Sequence, residues 1–222
     1  MEERRFKIAV LGGTGAQGSA LALRLSAAGH ALTIGSRDAE RAGIAAAQLG
    51  TRIGKTIAGG DHRTAAAAAE IVILTVPYAV QRATVEHVLD ALQGKIMVDS
   101  TVPLVPPRVG TVALPEGQSA VAAIQRLVGD NVRVVSAFQN VSAQHLSELD
   151  HQVDCDVLVC GEDRAACDIV IGLCTDMGLR AFYAGGIRNS AAAEALTSVL
   201  ITINRRYKVA GAGIRITGLP KA

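Results

Sequence analysis

The chain has 222 residues, 50% apolar and 19% charged, with 22 Lys and Arg against 20 Asp and Glu for a formal net charge of +2. That length and apolar share sustain a substantial core and exclude a disordered chain. The near-balance of charge excludes a broad nucleic-acid surface, and no run approaches the roughly 18 to 20 continuous apolar residues of a membrane span.

The opening residues, Met1 to Phe6, are charged and lack an apolar signal region, so a cytoplasmic location is expected. Short, apolar, β-branched runs then predict strands at Lys7–Leu11, Ala31–Ile34, Ile71–Val76, Lys95–Asp99 and Val132–Ala137. Alanine-rich helical patterns lie between and after them, at Gln17–Ala28, Ala39–Leu49, Arg63–Ala69, Ala79–Ala91 and Ala120–Leu127. Leu21, Leu25 and Ala28 share one face of the first helix, and Gly29 is placed to end it. A further strand–helix–strand unit is expected at Asp156–Cys160, Ala165–Met177 and Arg180–Tyr183, followed by a long helix from about Ser190 to Tyr207. The tail, "GAGIRITGL", is expected to return and pack as a short strand or turn. This alternation predicts an α/β fold: a doubly wound parallel sheet, with residues 1–150 as a nucleotide-binding domain and 151–222 as a smaller α/β extension. The loop Thr101–Gln118 holds four of the six prolines directly after a strand, where open α/β sheets place ligand-facing residues.

Cys155, Cys160, Cys167 and Cys174 lack the C-x-x-C spacing of metal or redox sites; Cys167 and Cys174, seven apart, share one buried helix face. Among the histidines (His30, His62, His87, His145 and His151), none sits in a nucleophile motif. His145-x-x-Glu148-x-x-His151 has a ligand-like composition, but its spacing fits a surface helix and turn better than a metal site. His30 reads as a helix-end cap.

Gly13-Thr14-Gly15-Ala16-Gln17-Gly18 is a G-x-G-x-x-G that follows the first strand and opens the first helix. In a Rossmann-type dinucleotide site the first glycine allows the tight turn, the second the approach of a pyrophosphate, and the third close helix–strand packing. The helix N-terminus presents free N–H groups to the phosphates. A carboxylate closing the second strand would bind the ribose of NAD; here "GSRDAER" offers Ser36, Arg37 and, one turn on, Arg41. These suit a 2′-phosphate and favour NADP, although Asp38 next door retains the capacity to bind a ribose. The remaining strand ends (Thr75 to Tyr78, Asp99 to Leu104 and Ser136 to Ala143) line a crevice with small, apolar and neutral polar groups. Such a lining suits a flat ring stacked on nicotinamide better than a carbonyl needing a proton.

The stretches "VLGGTGAQG", "GSRDAERA", "AEIVILTVPY", "VVSAFQNVSA", "CDVLVCGED" and "GAGIRITGL" resemble the NADPH-dependent reductases of the deazaflavin coenzyme F420, in that family's order over nearly the whole chain. The resemblance implies an oxidoreductase that moves hydride between NADP(H) and coenzyme F420, both bound as small-molecule substrates. By match, Thr14, Gly15, Ala16 and Gln17 hold the pyrophosphate in the turn shaped by Gly13 and Gly18. Ser36, Arg37 and Arg41 hold the 2′-phosphate, and Val76, Tyr78, Arg82, Leu104 and Ala143 lie along the nicotinamide half. The deazaflavin enters an apolar pocket from the segment around Phe138–Ser142 and the C-terminal part, with Asn189, Ser190 and Thr197 as polar contacts. Some members of that family carry His where this chain has Gln139, which donates and accepts hydrogen bonds but does not titrate. No catalytic side chain and no metal is implied, because the hydride passes directly between the two rings. A reductase of flavins, quinones or metal chelates and a non-catalytic NADPH sensor are the competing readings. The alanine-rich helices and apolar C-terminal segment point to a homodimer.

Overall fold

The computed structural model describes residues 4–116 and 118–219; residues 1–3 of the charged start, Gly117 of the proline-rich loop and residues 220–222 lie outside the described part. The first half builds β1 (Lys7–Leu11), α1 (Ala16–Ala27), β2 (Ala31–Ser36), α2 (Ala39–Ile53), β3 (Ala58–Asp61), α3 (His62–Ala68), β4 (Ile71–Leu74), α4 (Tyr78–His87), α5 (Leu89–Leu92) and β5 (Ile96–Asp99). The second adds α6 (Ala120–Val128), β6 (Arg133–Ser136), α7 (Ala143–Ser147), β7 (Asp156–Gly161), α8 (Arg164–Asp176), β8 (Arg180–Tyr183) and α9 (Ser190–Tyr207).

The strands form an eight-stranded sheet in the order β3-β2-β1-β4-β5-β6-β7-β8. β1 through β6 pair in parallel, β7 is antiparallel to β6, and β8 returns parallel to β7. The order reverses at β1, whose neighbours are β2 and β4, and that switch point opens a crevice outside the carboxyl ends of the strands. The apolar runs are continuous because both sheet faces are covered. Ile8, Val10, Ile34, Ile73 and Val98 join one core cluster, whereas Ala9, Leu11, Val72, Leu74 and Met97 join another. Each fully buried Ile or Leu contributes about 1.5–3 kcal/mol before chain entropy is subtracted.

The expected strands and helices form with small shifts at their ends, and four differences have physical causes. β3, "AGGD", carries no β-branched residue and gave no strand signal; it is an edge strand paired with β2, and a Cβ at Gly59 would lie 2.6 Å from the Ala42 backbone, so glycine lets α2 rest on the strand. The single helix expected over Ala79–Ala91 is two, with Val88 between α4 and α5. α2 runs on to Ile53 and stops where Gly54 turns left-handed, at φ 65°. α7, with five residues, is too short to show a helical period.

Arg24 on α1 explains the histidine pattern. Its guanidinium is buried and donates to the carbonyl oxygens of Leu146, Met177, His145, Glu148 and His151 at 2.6–3.2 Å. The spacing of His145, Glu148 and His151 therefore wraps three backbone carbonyls around one cation, and the two imidazoles sit 4.6 Å apart. His30 joins elements rather than merely capping one: Nδ1 accepts from the Phe6 N–H at 3.3 Å and Nε2 meets Asp176 at 3.1 Å. The tail returns without forming a strand. Ile214 O accepts from the Asp156 N–H, and the Ile216 N–H donates to Asp156 Oδ2. All four cysteines are free and buried, and burial pushes the Cys160 and Cys167 thiols up to about 11, which leaves them unreactive.

Candidate active site

The glycine turn after β1 sets the floor of the crevice. Gly12, one residue before the motif, supplies the left-handed bend at φ 83°, a task the sequence reading gave to Gly13. Gly13 is needed for space: a Cβ there would stand 2.8 Å from Val10 O. Gly18 lets α1 approach the sheet, since its Cβ would stand 2.5 Å from Thr75 Oγ1 and 2.6 Å from Gly12 O. Neither Gly13 nor Gly18 lines the cavity, whereas Gly12, Thr14, Gly15, Ala16 and Gln17 do. α2, α3, α6 and α8 have their first N–H groups capped by the side chains of Asp38, Asp61, Ser119 and Asp163. α1, like α4, α5, α7 and α9, has no capping side chain, and its N-terminal end, with no acidic residue in the first turn, lines the cavity through Gly15, Ala16 and Gln17.

That cavity, about 480 Å³, continues along Ser36, Arg37, Arg41, Thr75, Val76 and Pro77. Neither Arg37 nor Arg41 pairs with a carboxylate among the described residues. Asp38 is committed elsewhere: its carboxylate accepts the Arg41 N–H at 3.1 Å as the cap of α2. Two guanidinium groups without carboxylate partners therefore stand beside Ser36, with the Asp61 carboxylate on the adjoining cavity. A second cavity of about 480 Å³ shares Ser36, Arg37, His62, Val80 and Thr84 with the first and extends to Asp61, Ala83 and His87.

On the other side a third cavity, about 330 Å³, shares Gln17, Thr75, Val76 and Pro77 with the first and is lined by Tyr78, Thr101, Leu104, Phe138, Gln139 and Thr197 among others. Phe138 holds a left-handed backbone, φ 74°, an outlier for a bulky residue; its carbonyl accepts from Gln17 Nε2 at 3.4 Å. Gln139 Nε2 then donates to Asp99 O at 2.8 Å. Asp99 itself is fully buried at the end of β5, accepting from Gln81 Nε2 at 2.6 Å and the Thr101 N–H at 2.9 Å, and burial raises its carboxyl above the ordinary carboxylate range. Thr101 Oγ1 and Gln139 Oε1 are buried without a hydrogen-bond partner of ordinary geometry, although the Thr101 hydroxyl stands near enough to the Asp99 carboxyl to oppose its rise, and both residues line this cavity. Orphaned polar atoms of this kind are a cost unless a ligand supplies the partner.

The structure brings most of the expected site residues to this row of cavities. Arg82 is an exception: its guanidinium pairs with Glu86 at 2.9 Å and lines a separate recess between α4 and α6. Ala143 opens α7 and lines none of these three cavities. Asn189 donates to Ala184 O, and Ser190 is buried against Ser119 and Glu194, so of the three C-terminal polar residues Thr197 reaches the crevice. Glu194 accepts from Ser119 Oγ and from the Ala120 and Val121 N–H groups. This fixes α9 to the start of α6 and so positions Thr197.

Comparison with known proteins decides what this geometry belongs to. Residues 7–103 match the family described as NADP oxidoreductase, coenzyme F420-dependent. F420-dependent NADP reductase of Methanothermobacter marburgensis is 42% identical over 97% of this chain and 100% of its own length. The chain belongs to this family. The Methanocaldococcus jannaschii F420-dependent NADP reductase is 41% identical over 96% of this chain and 99% of its own. A solved structure from Arthrobacter sp. FB24, assigned as an F420-dependent NADP-reductase, superposes with a TM-score of 0.80 at 29% identity and covers 96% of this chain and 99% of that one.

Gly12 and His62 line the crevice without being expected there, whereas Asp99 and Thr101 belong to a strand end that was expected to line it. Gly12 had a signal, the doubled glycine of "LGGTG". Thr101 had its position after a strand. His62 had none, because it follows the unrecognised β3, and Asp99 lies beneath the surface it supports rather than in the lining.

Proposed function

We infer that the protein transfers a hydride reversibly between NADP(H) and coenzyme F420, as its family does. The observation that carries this reading is the row of three cavities: an open cationic end, a glycine turn at an uncapped helix, and an apolar end with neutral polar groups. NADPH gives a hydride, with its electron pair, to the deazaflavin, and one proton from solvent balances the reduced ring. Both rings bring their own chemistry, so the protein has to hold the reacting carbons about 3–3.5 Å apart and exclude water.

In this proposal Thr14, Gly15, Ala16 and Gln17 take the pyrophosphate, and Ser36, Arg37 and Arg41 take the 2′-phosphate through charge-assisted bonds. Val76, Tyr78 and Leu104 flank the nicotinamide, with the two rings meeting in the third cavity. The unpartnered Thr101 hydroxyl and Gln139 carbonyl oxygen offer a donor and an acceptor to the amide edges of the rings, which supports the fit. Residues 1–150 act as the NADP-binding part, and 151–222 supply Thr197 to the deazaflavin side. No helix among the described residues is long and apolar enough to cross a membrane; a cytoplasmic homodimer is part of the same proposal.

Mixing the purified protein with NADPH or NADH and either F420 or FMN, and following the deazaflavin or flavin absorbance, tests it. Bleaching of F420 with NADPH in preference to NADH is expected. Turnover of FMN without F420 overturns the reading.

A further inference from the structure

His62 stands at the junction of β3 and α3, 6% exposed, and lines both cavities at the cationic end of the crevice. Neither of its ring nitrogens has a hydrogen-bond partner among the described residues, in contrast to the equally buried His30, whose two nitrogens are both engaged. A ring that lines two cavities and has no protein partner is open to a hydrogen-bonding group that enters them. The charged groups around it narrow the choice. Arg37 from the end of β2 and His87 from α4 face it, and Asp61, next to it in the chain, is engaged by the Thr64 N–H and hydroxyl. Arg63 on α3 turns instead to Asp90. Burial first, then His87 and Arg37, hold the imidazole below its ordinary pKa, against the opposing pull of the Asp61 carboxylate.

We propose that His62 is a further coenzyme-binding residue, whose imidazole takes up a proton when the 2′-phosphate of NADP(H) enters the cavity it shares with Ser36 and Arg37. This rests on the reading of Ser36, Arg37 and Arg41 as the phosphate site. A phosphate dianion reverses the local sign of charge, and at the separations of one cavity its attraction favours the protonated ring. Binding therefore consumes a proton. Affinity for nucleotides carrying a 2′-phosphate strengthens as pH falls toward the ordinary imidazole value of about 6.5, until the phosphate itself protonates near about 6. A nucleotide without that phosphate shows no such dependence, so His62 also sharpens the preference for NADP over NAD.

Titration calorimetry of the full chain at about pH 7, in two buffers of different ionisation enthalpy, reads the protons exchanged on binding adenosine 2′,5′-bisphosphate or adenosine 5′-monophosphate. Net uptake with the bisphosphate relative to the monophosphate is expected, lost in His62→Gln and retained in His87→Gln. Unchanged uptake in folded His62→Gln overturns the assignment. Equal affinity of the unsubstituted protein for both nucleotides overturns the phosphate site and this inference with it, whereas tighter bisphosphate binding without uptake overturns this inference alone. If His62→Gln does not fold, an NMR titration of the His62 ring in the unsubstituted protein decides: an upward pKa shift on adding the bisphosphate supports the proposal, and an unchanged pKa refutes it.

Discussion

The two ends of the crevice are built on opposite principles. The end proposed for the nucleotide takes its glycine turn and its two arginines from one contiguous stretch, β1 through the first turn of α2, and is closed by His62, Thr75 to Pro77, Val80 and Thr84 from other elements. It works through absence: missing Cβ atoms at Gly13 and Gly18, a missing cap on α1 and a missing carboxylate partner for Arg37 and Arg41. The apolar end draws Tyr78, Thr101, Phe138, Gln139 and Thr197 from segments more than a hundred residues apart and carries no charge at its surface. The main part of a proposed phosphate site can thus be written in one local motif. A pocket for a neutral ring system has to be assembled by the sheet.

The comparison breaks most visibly at Gly18. Gly18→Ala places a methyl against Thr75 Oγ1 and Gly12 O, and the overpacking costs about 1–3 kcal/mol; a lower denaturation midpoint and an NADPH KM raised at least tenfold are expected, read by urea melts and steady-state kinetics. Arg37→Ala removes one charge-assisted contact, about 1.5–3 kcal/mol, so KM for NADPH should rise roughly ten- to a hundred-fold while KM for NADH stays put. An equal rise for both coenzymes would contradict the phosphate role.

At the other end, Thr101→Val sharpens the contrast because it deletes an unpartnered hydroxyl. Thermal stability is expected to hold or increase, while kcat/KM for F420 falls about tenfold. The smallest effect is a pH dependence at Asp99. Burial raises its folded pKa above the unfolded value of about 3.9. Between those two values the native state binds more protons than the unfolded chain, so this group's contribution to stability declines as pH rises through the window. Asp99→Asn removes that decline. Its melting temperature relative to the unsubstituted protein should climb with pH across the window, by about 2–4 °C per kcal/mol. Glu194, raised by the same cause, leaves a residual slope in both proteins.

Much of this was readable from the chain. The continuous apolar runs of β1, β2, β4, β5 and β6, the glycine motif and the Ser36–Arg37–Arg41 set are local signals, and each of these strands formed within a few residues of its expected bounds. β3 was not, because an edge strand with glycine against a helix needs no β-branched side chains. Nor was the strained backbone at Phe138, which no residue type announces, nor the turning of Arg82 toward Glu86, where an ion pair one helical turn away competes with the crevice.

Residue order alone dictated a two-faced apolar sheet and a turn able to seat a dinucleotide, since both depend on neighbours within a few positions. Which side chains look into the crevice was settled by packing: Asp99 beneath Gln139, Glu194 pinning α9, and His62 left facing the cavity without a partner. Those outcomes hinge on strand register and on contacts between distant segments, where a helical turn or one step along a strand reverses the direction a side chain faces.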